Sequence, residues 1–139
     1  MIKLTFCLRR RQDLSREEFR RYWQDEHGPL VRERAPALGI RKYQQVHTLV
    51  EDELHRALQA RNGGAPEPFD GIAEVWVDDV ETFRGGTGTA ESRQAARDLL
   101  EDEANFIDLA NSPMWLGEEI VFYEQTDRGP DTGPQDPGT

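Results

Sequence analysis

Phe19, Trp23 and His27 recur every four residues, so an imidazole stands on the apolar stripe of a helix. Such a stripe packs against a core, which takes the ring at least partly out of water. An imidazole in that setting titrates close to neutrality and is suited to general acid or base work. Pro29 clashes with the carbonyl of Asp25 in a continuing helix, so His27 is expected in the last turn or at a kink. Pro29 would then open a further turn over Leu30 to Arg34. The end of a helix favours the imidazolium and burial opposes it, and these two effects are not ranked by sequence.

A second group of chemical side chains alternates along a strand. Arg41, Tyr43, Gln45 and His47 share one face between Ile40 and Leu49, an unusually polar face for a strand. Neutral His27 could remove a proton next to a carbonyl while the Tyr43 phenol stabilises the enolate oxygen. Glu74 shares a face with Trp76 in a third strand and is the candidate carboxylate for orienting the imidazole. Asp25 and Glu26 fall on different sides of the helix, so at most one can help. His27, Tyr43 and Glu74 are thus the candidate catalytic set, with Trp23, Gln45, Trp76 and His47 as candidate substrate contacts. Each has a plainer role as well: a helix cap for His27, packing for Tyr43, surface for His47, and core or cavity wall for the tryptophans. Asp108 has the wrong sign for the helix C-terminus at which it is expected, so an arginine partner in a structural salt bridge is anticipated.

The elements that must position these residues follow from periodicity. Ile2 to Leu8 alternates apolar and polar residues and reads as a strand. Ser15 with Glu18 is a capping box opening a helix that runs to about His27. Glu51 to Ala60 has helical character, and Arg61 to Gly71, rich in Gly and Pro, is a loop placed to act as a lid. Ile72 to Val77 is the third strand. Asp78 with Glu81 starts another helix, with Val80 and Phe83 inward. Gly85 to Gly88 interrupts it, and helical spacing resumes from Glu91 to Ala110. Glu118 to Tyr123 is the fourth strand. Residues 127–139 offer nothing apolar to bury and are expected to be a disordered tail, leaving 1–126 as one domain. The order is that of an α+β, ferredoxin-like, four-stranded antiparallel sheet with helices on one face. Strands three and four carry bulky side chains on both faces, so the uncovered face predicts a homodimer packed sheet to sheet.

Composition narrows the function. A net charge of −10 argues against a nucleic-acid surface, and Arg9-Arg10-Arg11 reads as a solvated strand end. No apolar run is long enough to span a membrane. The single Cys7, expected as a small core residue, allows no internal disulfide, which fits the cytoplasm. His27, His47 and His55 have no metal-ligand spacing, so no metal is expected.

The chain resembles the EthD-type family of dimeric α/β-barrel proteins. The resemblance rests on Phe19-x-x-Tyr22-Trp23-x-x-x-His27-Gly28-Pro29-Leu30-Val31, on Tyr43, on Phe69-Asp70-Gly71-Ile72-Ala73-Glu74-Val75-Trp76, and on Asp102-Glu103-x-x-Phe106-Ile107-Asp108 before Glu118-Glu119. It implies the same fold and dimer. Family relatives include proteins encoded beside ether-degrading oxygenases, and others similar to methylmuconolactone isomerases, polyketide cyclases and dehydratases, which work without metal or organic cofactor. In the isomerase-like members a helix histidine and a second-strand tyrosine line the cavity, and they correspond to His27 and Tyr43. The expected activity is therefore cofactor-independent proton transfer (isomerisation, cyclisation or dehydration) on a small carbonyl or phenolic metabolite. The alternatives are a non-catalytic metabolite-binding accessory protein of an oxygenase system and a cofactor-free monooxygenase.

Overall fold

The alternation of Ile2, Leu4, Phe6 and Leu8 makes β1 (Ile2–Leu8) the interior strand from which the sheet is built. In this computed structural model, which describes residues 1–84 and 88–126, β1 pairs antiparallel with both β3 (Gly71–Val77) and β4 (Met114–Glu118). β2 (Lys42–His47) adds to the far side of β3, giving the order β2-β3-β1-β4. With helices on one face, this is the expected ferredoxin-like α+β sheet. The register sets the faces: Phe6 lies opposite Ala73, and Leu8 opposite Gly71, on the helix side. Cys7, beside Ile72, faces the other way and is buried.

Ser15 caps α1 (Arg16–Tyr22) with the reciprocal box: its hydroxyl accepts from Glu18 N–H and the Glu18 carboxylate from Ser15 N–H, both at 3.0 Å. Of the two places expected for His27, the last turn of a helix or a kink, the structure shows an irregular turn within a helical run that continues past Gly28-Pro29 to Arg34. One wide π-helical turn, Trp23–His27, runs directly into α2 (Gly28–Arg34), and Gly28 N–H reaches back five residues to the Trp23 carbonyl. The wide turn relieves the clash that proline would make in a regular α-helix, so Pro29 is absorbed into α2. Phe19, Trp23, Phe106 and Ile107 pack with Phe6, Leu8 and Ala73 to form the core.

Other boundaries differ from the sequence reading for identifiable reasons. β2 is shorter than the run Ile40 to Leu49, because its pairing with β3 spans Lys42 to His47. α3 (Asp52–Arg61) forms as anticipated. The helix expected from Asp78 is a single 3-10 turn, Val80–Thr82, capped by Asp79, and Phe83 is exposed rather than inward. The interruption at Gly85 to Gly88 falls largely outside the described residues, as does the tail 127–139. α4 (Ala90–Glu103) ends well before Ala110. There the chain turns to serve the exit of β1: Arg11 N–H donates to Phe106 O (3.0 Å) and Asp108 N–H to Arg9 O (2.8 Å). Asp108 is consequently not at a helix C-terminus but directly precedes the 3-10 turn Leu109–Asn111. Its carboxylate accepts from Asn111 (2.7 Å) and has no arginine partner among the described residues.

The fourth strand is Met114–Glu118, not Glu118 to Tyr123. Ile2 pairs with Glu118, where β1 begins, so nothing remains for the following residues to pair with. Ile120, Val121, Phe122 and Tyr123 are 71–95% exposed. The loop between α3 and β3 is tied down at its end, since Asp70 N–H donates to Leu8 O (2.8 Å) and Arg9 Nη1 to Pro68 O (2.8 Å). Among the described residues no helix is long and apolar enough to cross a membrane.

Candidate functional site

Two-residue periodicity on β2 turns Tyr43, Gln45 and His47 toward the helices, opposite Val75, Ala73 and Gly71. Gly71 leaves room for this: a Cβ there would lie 2.3 Å from the Trp23 ring, so the indole rests directly on the β3 backbone. The His47 imidazole stacks on the other part of that indole, ring centroids 4.3 Å apart. Gln45 links strand to π turn. Its amide donates to the Trp23 carbonyl and to the Tyr43 hydroxyl, both at 2.8 Å. Both amide hydrogens are thereby used, and the Gln45 carbonyl must accept from Nε2–H of His47 at 2.8 Å. That fixes the His47 tautomer and leaves Nδ1 with its lone pair, without a partner among the described residues. Burial, then the nearby Arg20 charge, lower the His47 pKa, so at neutral pH the ring is a free base.

His27 is in the π turn and is 4% exposed. Its Nδ1–H donates to Asp102 Oδ2 (2.6 Å), and Tyr22 donates to the other oxygen of the same carboxylate (2.6 Å). An acceptor on Nδ1 directs the lone pair to Nε2, which faces Glu103 Oε2 at 3.8 Å. Burial lowers the His27 pKa despite the opposing pull of Asp102. The Glu103 carboxyl is pushed up to about 7, by burial first and then by the Asp102 charge. Tyr43 is raised by burial, while its oxygen takes hydrogen bonds from Gln45 and Trp23 and feels the Glu103 charge. A string of hydrogen bonds thus runs from His47 through Gln45 to Tyr43, and a separate set joins His27, Asp102 and Tyr22 with Glu103 beside it.

The His47 end of the string opens to a cavity. A groove of about 940 Å³ lies between α1, α3 and the loop 62–70, with His47, Arg20, Arg56, Phe19 and Phe69 among its walls. His27 and Tyr43 are not among its lining residues. Of the predicted residues, Tyr43, Trp23, Gln45 and His47 are brought together, while His27, in the same π turn as Trp23, turns to Asp102 and Glu103. Glu74 and Trp76 do not join them. Glu74 lies opposite Thr5 and Gln44 on the far face of the sheet, ion-paired with Lys3 and accepting from Gln44 (2.6 Å). Trp76 shares that face, its ring beside Lys3 and Lys42 and its N–H given to Glu119.

The carboxylates that do meet His27, Asp102 and Glu103, carried no assigned chemistry in the sequence. From sequence both are expected inside a helix running to Ala110; with α4 ending at Glu103 they stand at its C-terminal end, where their sign calls for a compensating partner.

The model of the EthD domain family matches residues 11–110. Among curated proteins, none matches the chain. The fold is similar to that of an ethyl tert-butyl ether d (EthD) family protein from Bacillus halodurans C-125, with 20% identity, coverage of 86% of this chain and 99% of that one, and a TM-score of 0.55. An EthD-like protein from Ralstonia eutropha JMP134 has 20% identity, with 91% and 96% covered and a TM-score of 0.54. HapK from Hahella chejuensis has 11% identity, with 90% and 99% covered and a TM-score of 0.55. At these identities the likeness to the solved structures concerns the fold.

Proposed function

The chain belongs to the EthD domain family, and from that premise we propose that it is a cofactor-independent enzyme moving protons on a small carbonyl or phenolic metabolite. Isomerisation, cyclisation and dehydration are all within its reach. The observation that carries this reading is His47: an imidazole in the groove wall, held in one tautomer by Gln45 and kept neutral by its surroundings. Its Nδ1 would accept a proton from a carbon next to the substrate carbonyl, and the imidazolium would return it at a second position. Gln45 and Tyr43 hold the ring in place. Glu103, in the interior beside His27, supplies a group that changes protonation near neutrality. The protein would act as a homodimer, with the sheet face opposite the helices as the contact.

Deuterium uptake tests this whichever of the three reactions operates. A panel of small enolisable carbonyl compounds and phenols, incubated in heavy water, is followed by mass spectrometry. At least one compound should gain deuterium, and His47→Gln should slow that gain by about a hundredfold or more. Unchanged exchange in the variant would remove His47 from the mechanism.

A second reading has its own support. His27, for which the family resemblance implies a place in the cavity wall, is sealed in the interior. A protein that binds a metabolite without altering it would keep that packing for stability alone. Calorimetric binding with no deuterium uptake by any bound compound would favour it.

A further inference from the structure

Resting on the groove as a substrate site, we infer that its ligand is a small aromatic or conjugated carboxylate, gripped by Arg20 and Arg56 beside His47. Five arginines reach the groove, and three of them are committed within the fold. Arg9 donates to Pro68 O (2.8 Å) and lies over the Phe69 ring. Arg10 is held by Leu14 O (2.5 Å) and by Asp70 (3.5 Å). Arg16 pairs with Asp52 across the groove, from α1 to α3, at 2.9 Å. The guanidinium groups of Arg20 and Arg56 make no hydrogen bond or ion pair among the described residues.

Each of the two stands one helical turn beyond a member of the bridging Arg16–Asp52 pair, and both line the groove. Arg20 follows Arg16 by four residues on α1, and Arg56 follows Asp52 by four on α3, so each shares a helix face with one member of the bridging pair. Arg20 is also close enough to His47 for its charge to act on the imidazole. Most acids of the groove are neutralised: Asp52 by Arg16, Asp70 by Arg10, and Glu17 by Arg21 at 3.0 Å. Glu67 and Asp108 remain, and neither makes an ion pair with a groove cation among the described residues.

Arg20 and Arg56 are exposed on the groove wall and uncommitted, so both guanidinium groups are available to an anion. A carboxylate matches the planar fork of arginine, whereas a neutral carbonyl compound does not. Phe69 in the same walls supplies apolar contact for the body of such an acid, and the Trp23 ring backs His47. The groove's volume accommodates a metabolite of one or two rings.

Titration with benzoate and with benzamide, followed by calorimetry, tests the assignment. Benzoate should bind at least about tenfold more tightly than benzamide, and Arg20→Gln or Arg56→Gln should each weaken benzoate by about tenfold without affecting benzamide. Arg32→Gln on α2 removes the same charge away from the groove and should change benzoate affinity by less than about twofold. Equal affinity for the two probes, no benzoate binding, or an equal loss in the Arg32 variant would each overturn the inference. The titration involves no chemical step. If benzoate selectivity fails while deuterium exchange persists, the catalytic reading stands and only the carboxylate assignment falls.

Discussion

Glu103 is the residue whose behaviour departs most from that of its free side chain. Raised from 4.5 to about 7, its carboxyl stays protonated in the fold over a range in which the unfolded chain has already released its proton. The folded state then binds more protons, so Glu103 makes stability fall as pH rises from its unfolded pKa to about 7, by about 3 kcal/mol in total. His27 and His47 act with the opposite slope: both are lowered, so their contribution is lost as pH falls below 6.5. Glu103→Gln should therefore be more stable than the wild type at about pH 8 and lose less stability between about pH 5 and 7, as urea unfolding at several pH values would show. Tyr22→Phe removes a 2.6 Å bond to Asp102 and should cost about 1–2 kcal/mol by the same measurement. The Tyr22 effect should shrink in an Asp102→Asn background if the two act as one unit.

At the scale of elements, the contact between the π turn and the β2–β3 pair holds the site. Gly71→Ala would drive a methyl into the Trp23 ring at 2.3 Å and toward Val46 O at 3.0 Å. We expect a loss of about 3 kcal/mol or more in unfolding, together with a changed tryptophan fluorescence as the indole shifts under His47. Gln45→Leu keeps the bulk but removes the amide's bonds to Trp23 O and Tyr43. It should cost about 1–3 kcal/mol and release the His47 tautomer, visible as a shift in imidazole nitrogen resonances. Gly28 belongs to the same contact, since a Cβ there would come within 3.1 Å of the Gln45 amide.

On the scale of the molecule, the second face of the sheet carries apolar surface that the helices do not cover. Trp76 is covered by its own neighbours, but Trp115 is 52% exposed and Val46 47%, and the segment Ile120 to Tyr123 stands in water. This is the surface that the proposed sheet-to-sheet homodimer would bury. Light scattering at micromolar concentration should give the mass of a dimer, and Trp115→Glu should shift it toward monomer while leaving the circular dichroism spectrum intact. A monodisperse wild-type monomer would contradict the dimer.

Three of the four strands, the antiparallel ferredoxin-like sheet, the capping box at Ser15 and the shared face of Tyr43, Gln45 and His47 were legible in the residues, because side-chain periodicity and capping chemistry are local. Three things were not. The continuation of the helix through Pro29 depends on a π turn whose Trp23 carbonyl is shared between Gly28 and Gln45, a partner from another element. The end of the sheet at Glu118 depends on where β1 begins. The face of Glu74 and the arrival of Asp102 and Glu103 at His27 depend on strand register and on where α4 docks, the latter a contact between residues 75 or more positions apart in the chain. Periodicity says which residues share a face; only packing decides which faces meet, and the protonation states of the buried groups follow from that meeting.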